Sequence, residues 1–206
     1  MVYTLADLAI IAAEKKCSLG EAALTIQCEE ENASKEKLLA KMEKAFSTMK
    51  DSIKAGLNPS LRSMSGRVGG QSSSLLEKSA TFPFMGRFFT HASAYALAVA
   101  ENNAAMGKIV AAPTAGACGI LPGILVSAQE EGDFSNETIV ESLFTAAAVG
   151  KVIAEKATIS GAQGGCQAES GSAAAMAAAA LTQLYGGTPS MVLSAVSFVF
   201  MNMLGL

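Results

Sequence analysis

The chain has 206 residues, half of them hydrophobic, which is enough apolar material to bury a core in one large domain or two small ones. Its 15 Lys and Arg stand against 18 Asp and Glu with no basic run, which argues against a nucleic-acid footprint, since that needs clustered cations. There is no Trp, 6% aromatic residues and heavy Ala usage, so the expected class is nearly all-α, Ala being the strongest helix former.

Charge is spread unevenly. Residues 1–60 hold 17 of the 33 charged residues, whereas residues 157–206 hold one, Glu169. The front is therefore read as solvated helices and the back as buried helices, with 1–58 a charged N-terminal part of a single 1–206 domain. A membrane reading of the back fails on length. Ser172–Tyr185 is broken by Gly186-Gly187-Thr188-Pro189 well short of the roughly 20 apolar residues a span needs. The last stretch carries Ser190, Ser194, Ser197 and Asn202 without flanking Lys or Arg. Met1–Ala13 contains Asp7 and lacks a basic start, so no secretory signal is read and a cytoplasmic location is expected.

In chain order, Thr4-Leu5-Ala6-Asp7 opens a first helix with Leu5, Leu8, Ile11 and Ala12 on one face. Ser18-Leu19-Gly20-Glu21 reads as a capping box for a second, and Glu29-Glu30-Glu31 as its solvated end. Ser34 caps a long amphipathic helix bearing Leu38, Leu39, Met42, Phe46, Met49 and Ile53, stopped by Gly56 and Pro59. Residues 60–74 are polar and Gly-rich, with nothing favouring helix or strand. Arg62 and Arg67 there would suit a carboxylate or phosphate, and a plain linker is the alternative. A helix of small apolar residues follows at about 84–103, with the only histidine, His91, as a packed or surface residue.

Residues 111–123 hold two Pro and three Gly in an uncharged stretch, which implies a buried, irregular turn. Its free N–H groups, followed by a helix, would bind an anion such as a substrate carboxylate; a purely structural tight turn is the alternative. Helices at about 136–153 and 189–204 are plain, the latter capped by Thr188 with Pro189 in its first position.

The strongest local signal is Thr158-Ile-Ser160-Gly161-Ala162-Gln163-Gly164-Gly165-Cys166-Gln167-Ala168-Glu169-Ser170-Gly171-Ser172, which sets a cysteine between a Gly-rich turn and an Ala-rich helix. A helix N-terminus favours thiolate, the form that ligates iron or zinc or attacks carbon. Glu169, three residues on, would share a face with Cys166. A lone acid in an apolar segment needs a partner, a metal or a proton. The alternative is a small buried Cys beside a helix-start acid. Cys17, Cys28 and Cys118 show no C-x-x-C spacing with it, so neither a disulfide framework nor a complete metal site is read from the four.

Two stretches, Pro113-Thr114-Ala115-Gly116-Ala117-Cys118-Gly119-Ile120-Leu121-Pro122-Gly123-Ile124-Leu125 and Ile159 through Ala180, resemble the signature regions of the iron–sulfur-dependent L-serine dehydratase α chain. Ser60–Gly70 and Asn202-Met203-Leu204-Gly205-Leu206 are similar to further segments of that family, so the resemblance covers essentially the whole chain. It implies a lyase that deaminates L-serine to pyruvate and ammonia with a [4Fe–4S] cluster as Lewis acid. Cys166 matches a cluster ligand. Thr114, Ala115 and Gly116, with Ser65, Gly66 and Asn202, match substrate contacts. Glu169 is the catalytic candidate. L-serine, a β chain and a second copy of the chain are the implied partners, with no nucleic acid and no membrane. In the family two further cluster cysteines follow the Asn-x-Leu-Gly-Leu segment, and these 206 residues stop before both. A shortened chain, inactive alone, is therefore expected. The competing reading is a non-catalytic helical subunit or scaffold that holds a small carboxylate.

Overall fold

Thr4 begins the regular structure as the sequence demands: its hydroxyl accepts from the Asp7 N–H while the Asp7 carboxylate accepts from the Thr4 N–H at 2.8 Å, a complete capping box. Described here from a computed structural model are residues 3–81 and 84–203. Residue 204 of the expected last helix and the end of the Asn202–Leu206 segment lie outside them. Among the described residues the regular structure is helical throughout, which bears out the all-α class. The chain divides into two compact units, residues 1–44 with 135–206, and residues 45–134.

The first unit holds α1 (Leu5–Lys15), α2 (Leu19–Glu31), the start of α3 (Lys35–Gly56), α7 (Asn136–Lys156), α8 (Gly161–Leu184) and α9 (Pro189–Met203). Ser18 caps α2 by accepting from the Glu21 N–H at 2.9 Å, and its own hydroxyl donates to Glu141 of α7 at 2.5 Å. Glu21 lies 3.7 Å from Lys35, an exposed pair of small energetic weight. Leu8, Ala12, Leu19, Ala22 and Leu24 are buried, as are Ile139, Leu143, Phe144 and Val149 of α7, on which α2 packs. Each fully buried Leu, Ile or Phe contributes about 1.5–3 kcal/mol. Small residues let the helices close up. A Cβ on Gly20 would lie 2.5 Å from the Glu141 carbonyl oxygen, so α2 packs on α7 only because that position is Gly.

The Ala-rich half of α8 is inside as expected, with Ala173, Ala175, Ala177, Ala179 and Ala180 buried. The expectation that the back of the chain consists of buried helices is corrected at α9. Thr188 caps that helix as read, accepting from the Met191 N–H at 3.3 Å. Yet only Val192 and Val196 are buried, while Met191, Phe198 and Met201 are 56%, 63% and 65% exposed. The reason is geometric. Val192 and Val196 are one turn apart and make a single narrow seam, and α9 is apolar on its remaining faces too.

The second unit holds the rest of α3, α4 (Gln71–Glu77), a 3-10 turn (Ser79–Thr81), α5 (Gly86–Ala104) and α6 (Ile120–Gly132). α4 corrects the reading of 60–74 as irregular throughout, since its first residues, Gln71–Ser74, are helical. No local cap signal marks that start: Gly70, at φ 83°, offers no side chain. The cap comes from a distant residue described below. α5 and α6 cross at close range. A Cβ on Gly119 would overlap the Ala96 carbonyl oxygen, and one on Gly123 would lie 2.7 Å from that of Ala92. Gly56 is required in the same way, against the Ala98 carbonyl.

Candidate functional site

In the second unit, the loop carrying Ser65 and Gly66 is a tight ring. The Ser63 N–H donates to the Val68 carbonyl at 2.7 Å, and the Val68 N–H returns to the Ser63 hydroxyl at 3.1 Å. Gly66, at φ 72°, makes the turn at the exposed tip, and the Ser65 hydroxyl sits 3.2 Å from that of Ser63. Arg62, read as an anion ligand, donates instead to the carbonyls of Pro59 and Leu61 at 2.8 and 2.6 Å. It closes its own loop.

The loop with Thr114, Ala115 and Gly116 is only partly the buried turn expected. Ala112, Ala117 and Cys118 are buried, Thr114 is half-buried, and Ala115 and Gly116 form an exposed tip. The peptide bond between Ala112 and Pro113 is cis. The loop leads straight into α6, whose start at Gly119 carries no side-chain cap; the Ile120 N–H donates to the Ala117 carbonyl at 3.2 Å and the Gly123 N–H to that of Gly119 at 3.0 Å. Burial pushes the Cys118 thiol up, which keeps it protonated and unreactive.

In the first unit, Cys166 stands at the helix junction that its sequence surroundings imply. α8 is two helical segments joined at Gly165, whose φ of 75° and ψ of 177° break the helix immediately before Cys166. Nothing lies within 4 Å of where a Gly165 Cβ would be, so this glycine serves backbone conformation alone. Cys166 is the exposed thiol of the four; Cys17 and Cys28 are half-buried and Cys118 buried. Glu169 bends back over the start of α8, its carboxylate lying where a Cβ on Gly161 would come within 2.6 Å of it. Gly161 therefore makes room for that carboxylate. Asn202, on the last turn of α9, is exposed and donates to the Phe198 carbonyl at 2.8 Å.

Sequence reasoning missed the end of α5. Glu101 is 1% exposed, and its carboxylate accepts from the N–H groups of Gly70, Gln71 and Ser72 at 3.1, 2.9 and 3.3 Å and from the Ser72 hydroxyl at 2.7 Å. This is the cap of α4. The signal that finds it is the one used for Glu169: an isolated acid in an apolar helix needs donors. Two residues on, the Asn103 amide donates to the Ala115 carbonyl at 3.0 Å.

Two long stretches of signature-like sequence thus fold into a Cys-headed helix and a Pro/Gly loop ahead of a helix. The sequence pattern of the family described as serine dehydratase alpha chain matches residues 14–206. The chain belongs to that family. A probable L-serine dehydratase alpha chain of Bacillus subtilis is 37% identical over the whole of this chain and 69% of its own length. An L-serine dehydratase alpha chain of Peptoniphilus asaccharolyticus is 52% identical over 59% of this chain and 42% of its own. The L-serine dehydratase TdcG of Escherichia coli is 48% identical over 54% and 25% respectively. The chain thus spans less than half of the Peptoniphilus relative and more than two thirds of the Bacillus one. Among its described residues, no three His, Cys, Asp or Glu converge where they could hold a metal ion, and no helix is long and apolar enough to cross a membrane.

Proposed function

We propose that this chain supplies α-chain machinery of an L-serine dehydratase. L-serine loses its β-hydroxyl and its α-proton to give aminoacrylate, and the imine tautomer of that product is hydrolysed to pyruvate and ammonia. The observation that carries the reading is Cys166, an exposed thiol at the head of a helical segment, set apart by the Gly165 break and followed one turn later by Glu169.

Each candidate residue has its own part in this reading. The Ser65 hydroxyl beside Gly66, and half-buried Thr114 beside the exposed Ala115 and Gly116, are polar groups of the kind that suits the carboxylate and hydroxyl of an amino acid, the Gly66 N–H being given to the Ser63 carbonyl at 2.8 Å. Asn202 is a further candidate contact, its amide already held on α9. Glu169 is the group assigned to hold or move a proton, and Gly161 leaves its carboxylate space to do so. Cys166 is assigned as one ligand of the [4Fe–4S] cluster that the family resemblance implies. The residues described do not by themselves fit that cluster, which typically needs three or four cysteine thiolates, because no three Cys, His, Asp or Glu among them come together as a ligand group. The remaining thiolates must come from residues outside these. A β chain, implied by the alpha-chain names of the relatives, and a second copy of this chain are the proposed partners, with the cytoplasm as the place of work.

The test uses the assembled enzyme. Cys166→Ser should abolish both the iron–sulfur absorbance and pyruvate release from L-serine, while Cys118→Ser should leave both largely in place. Pyruvate release that survives Cys166→Ser would overturn the assignment.

A further inference from the structure

The two loops given substrate roles above are far apart in sequence, and each is a short irregular segment with an exposed tip. Some element must hold them. The hydrogen bonds of the second unit converge on one place, the last turn of α5.

The Ser63–Gly70 loop reaches that turn twice. At its far end, the Gly70 N–H donates to one oxygen of Glu101, and the first two N–H groups of α4 donate to the other at 2.9 and 3.3 Å. At its near end, the Met64 N–H donates to the Ala104 carbonyl at 3.3 Å. Ser72 ties the arrangement inward, its hydroxyl lying 2.7 Å from Glu101 and 3.1 Å from the Gly56 carbonyl at the end of α3. The Thr114–Gly116 loop reaches the same turn through Asn103, whose amide donates to Ala115. Its approach is held by Asn102, which donates to the Lys108 carbonyl at 3.0 Å and accepts from the Gly107 N–H on its own carbonyl at 2.8 Å. Four consecutive residues, Glu101, Asn102, Asn103 and Ala104, thus hold both loops.

A buried carboxylate is an expensive way to cap a seven-residue helix. Glu101 is 1% exposed and makes no ion pair among the described residues; its carboxylate is met by four donors, the N–H groups of Gly70, Gln71 and Ser72 and the Ser72 hydroxyl. Taking an ionised group out of water is costly unless donors replace the water in full. A Ser or Asp at position 70 would cap α4 locally, but φ at that position is 83°, and a Cβ there would lie 2.9 Å from the Pro59 carbonyl. What the distant carboxylate does that a local cap cannot is fix α4 and the ring preceding it to the same helix end that anchors the other loop.

We infer that Glu101 and Asn103 are positioning residues, which set the Ser65–Gly66 and Thr114–Gly116 loops at a common spacing so that both address one amino-acid substrate. Neither is assigned contact with that substrate. The inference rests on the reading that these loops carry the L-serine contacts, and its test separates the two ideas.

Two variants are compared with the unsubstituted protein. Glu101→Gln keeps size but turns one acceptor into a donor facing an N–H group. Asn103→Asp keeps size but removes the donor to Ala115, and it alters a half-buried side chain, so it keeps the test open if Glu101→Gln fails to fold. Amide hydrogen exchange should rise over 63–72 in the first variant and over 113–117 in the second, with α6 unchanged. In the assembled enzyme each variant should raise KM for L-serine about tenfold while kcat stays within about twofold, the mark of lost substrate binding and not of lost chemistry. The double variant should be less than additive if one spacing is at stake. Loosened loops with an unchanged KM overturn the positioning role and leave the L-serine reading standing. A fall in kcat alone overturns it as well. If the unsubstituted assembled enzyme does not turn over L-serine, the functional reading fails and this inference fails with it.

Discussion

Within the second unit, the best-defined titrating group is Tyr95. Its hydroxyl donates to Glu130 of α6, with 3.1 and 3.0 Å to the two carboxylate oxygens, and His91 Nδ1 lies 3.3 Å from the same carboxylate. The sole histidine is therefore a packed helix residue that bridges α5 and α6. Burial, and then the carboxylate beside it, push the Tyr95 hydroxyl up to about 12. Tyr95 loses its proton at lower pH in the unfolded chain, near 10, so the stability it contributes is whole below that value. It is lost as the pH climbs towards 12. Denaturant midpoints measured across that window should fall, and Tyr95→Phe should flatten the fall. A slope unchanged by the substitution would show that other groups govern alkaline unfolding.

At the scale of the helix, glycines act in two physically different ways. Gly119 and Gly123 are steric, letting α6 press against α5 carbonyls. Gly165 is conformational, with a φ of 75° and open space around it. Gly165→Ala should therefore cost about 1–3 kcal/mol from backbone strain alone. The strain is relieved if α8 straightens, and Cys166 then loses its place at the head of a helical segment. Two readouts follow: a lower thermal midpoint, and slower alkylation of Cys166 by iodoacetamide. In the unsubstituted protein Cys166 should be the fastest of the four thiols and buried Cys118 the slowest. Equal rates at Cys166 before and after the substitution would remove the break from any role in presenting that thiol.

For the molecule as a whole, the decisive quantity is the thiol inventory. Cys166 is the one cysteine proposed as a cluster ligand, and among the described residues no group of three or more His, Cys, Asp or Glu could hold a metal ion. The 206-residue polypeptide by itself, supplied anaerobically with iron and sulfide, should therefore retain no stoichiometric iron. Iron and sulfide analysis after desalting checks this. A stable brown protein carrying a full cluster would mean that a second copy supplies the missing ligands.

What the sequence alone made legible is whatever depends on neighbours within about one helical turn. Thr4 with Asp7, Ser18, Ser34 and Thr188 all cap the helices they precede. Of the face bearing Leu38, Leu39, Met42, Phe46, Met49 and Ile53, Leu38, Phe46, Met49 and Ile53 are buried and Leu39 and Met42 half-buried. The Gly-to-Cys166 junction is likewise local, because a left-handed glycine and an Ala-rich run mark it without help from the rest of the chain. The tertiary structure decided what depends on residues far along the chain. Gln71–Glu77 is a helix because Glu101, some thirty residues on, receives its free N–H groups. Glu169 turns back over Gly161, and α9 shows its large apolar side chains because Val192 and Val196 are all that it buries. Periodicity states that a helix has an apolar face. It carries no information on how many neighbours arrive to cover that face, or on which distant donor meets a lone buried acid, since those are set by packing between elements.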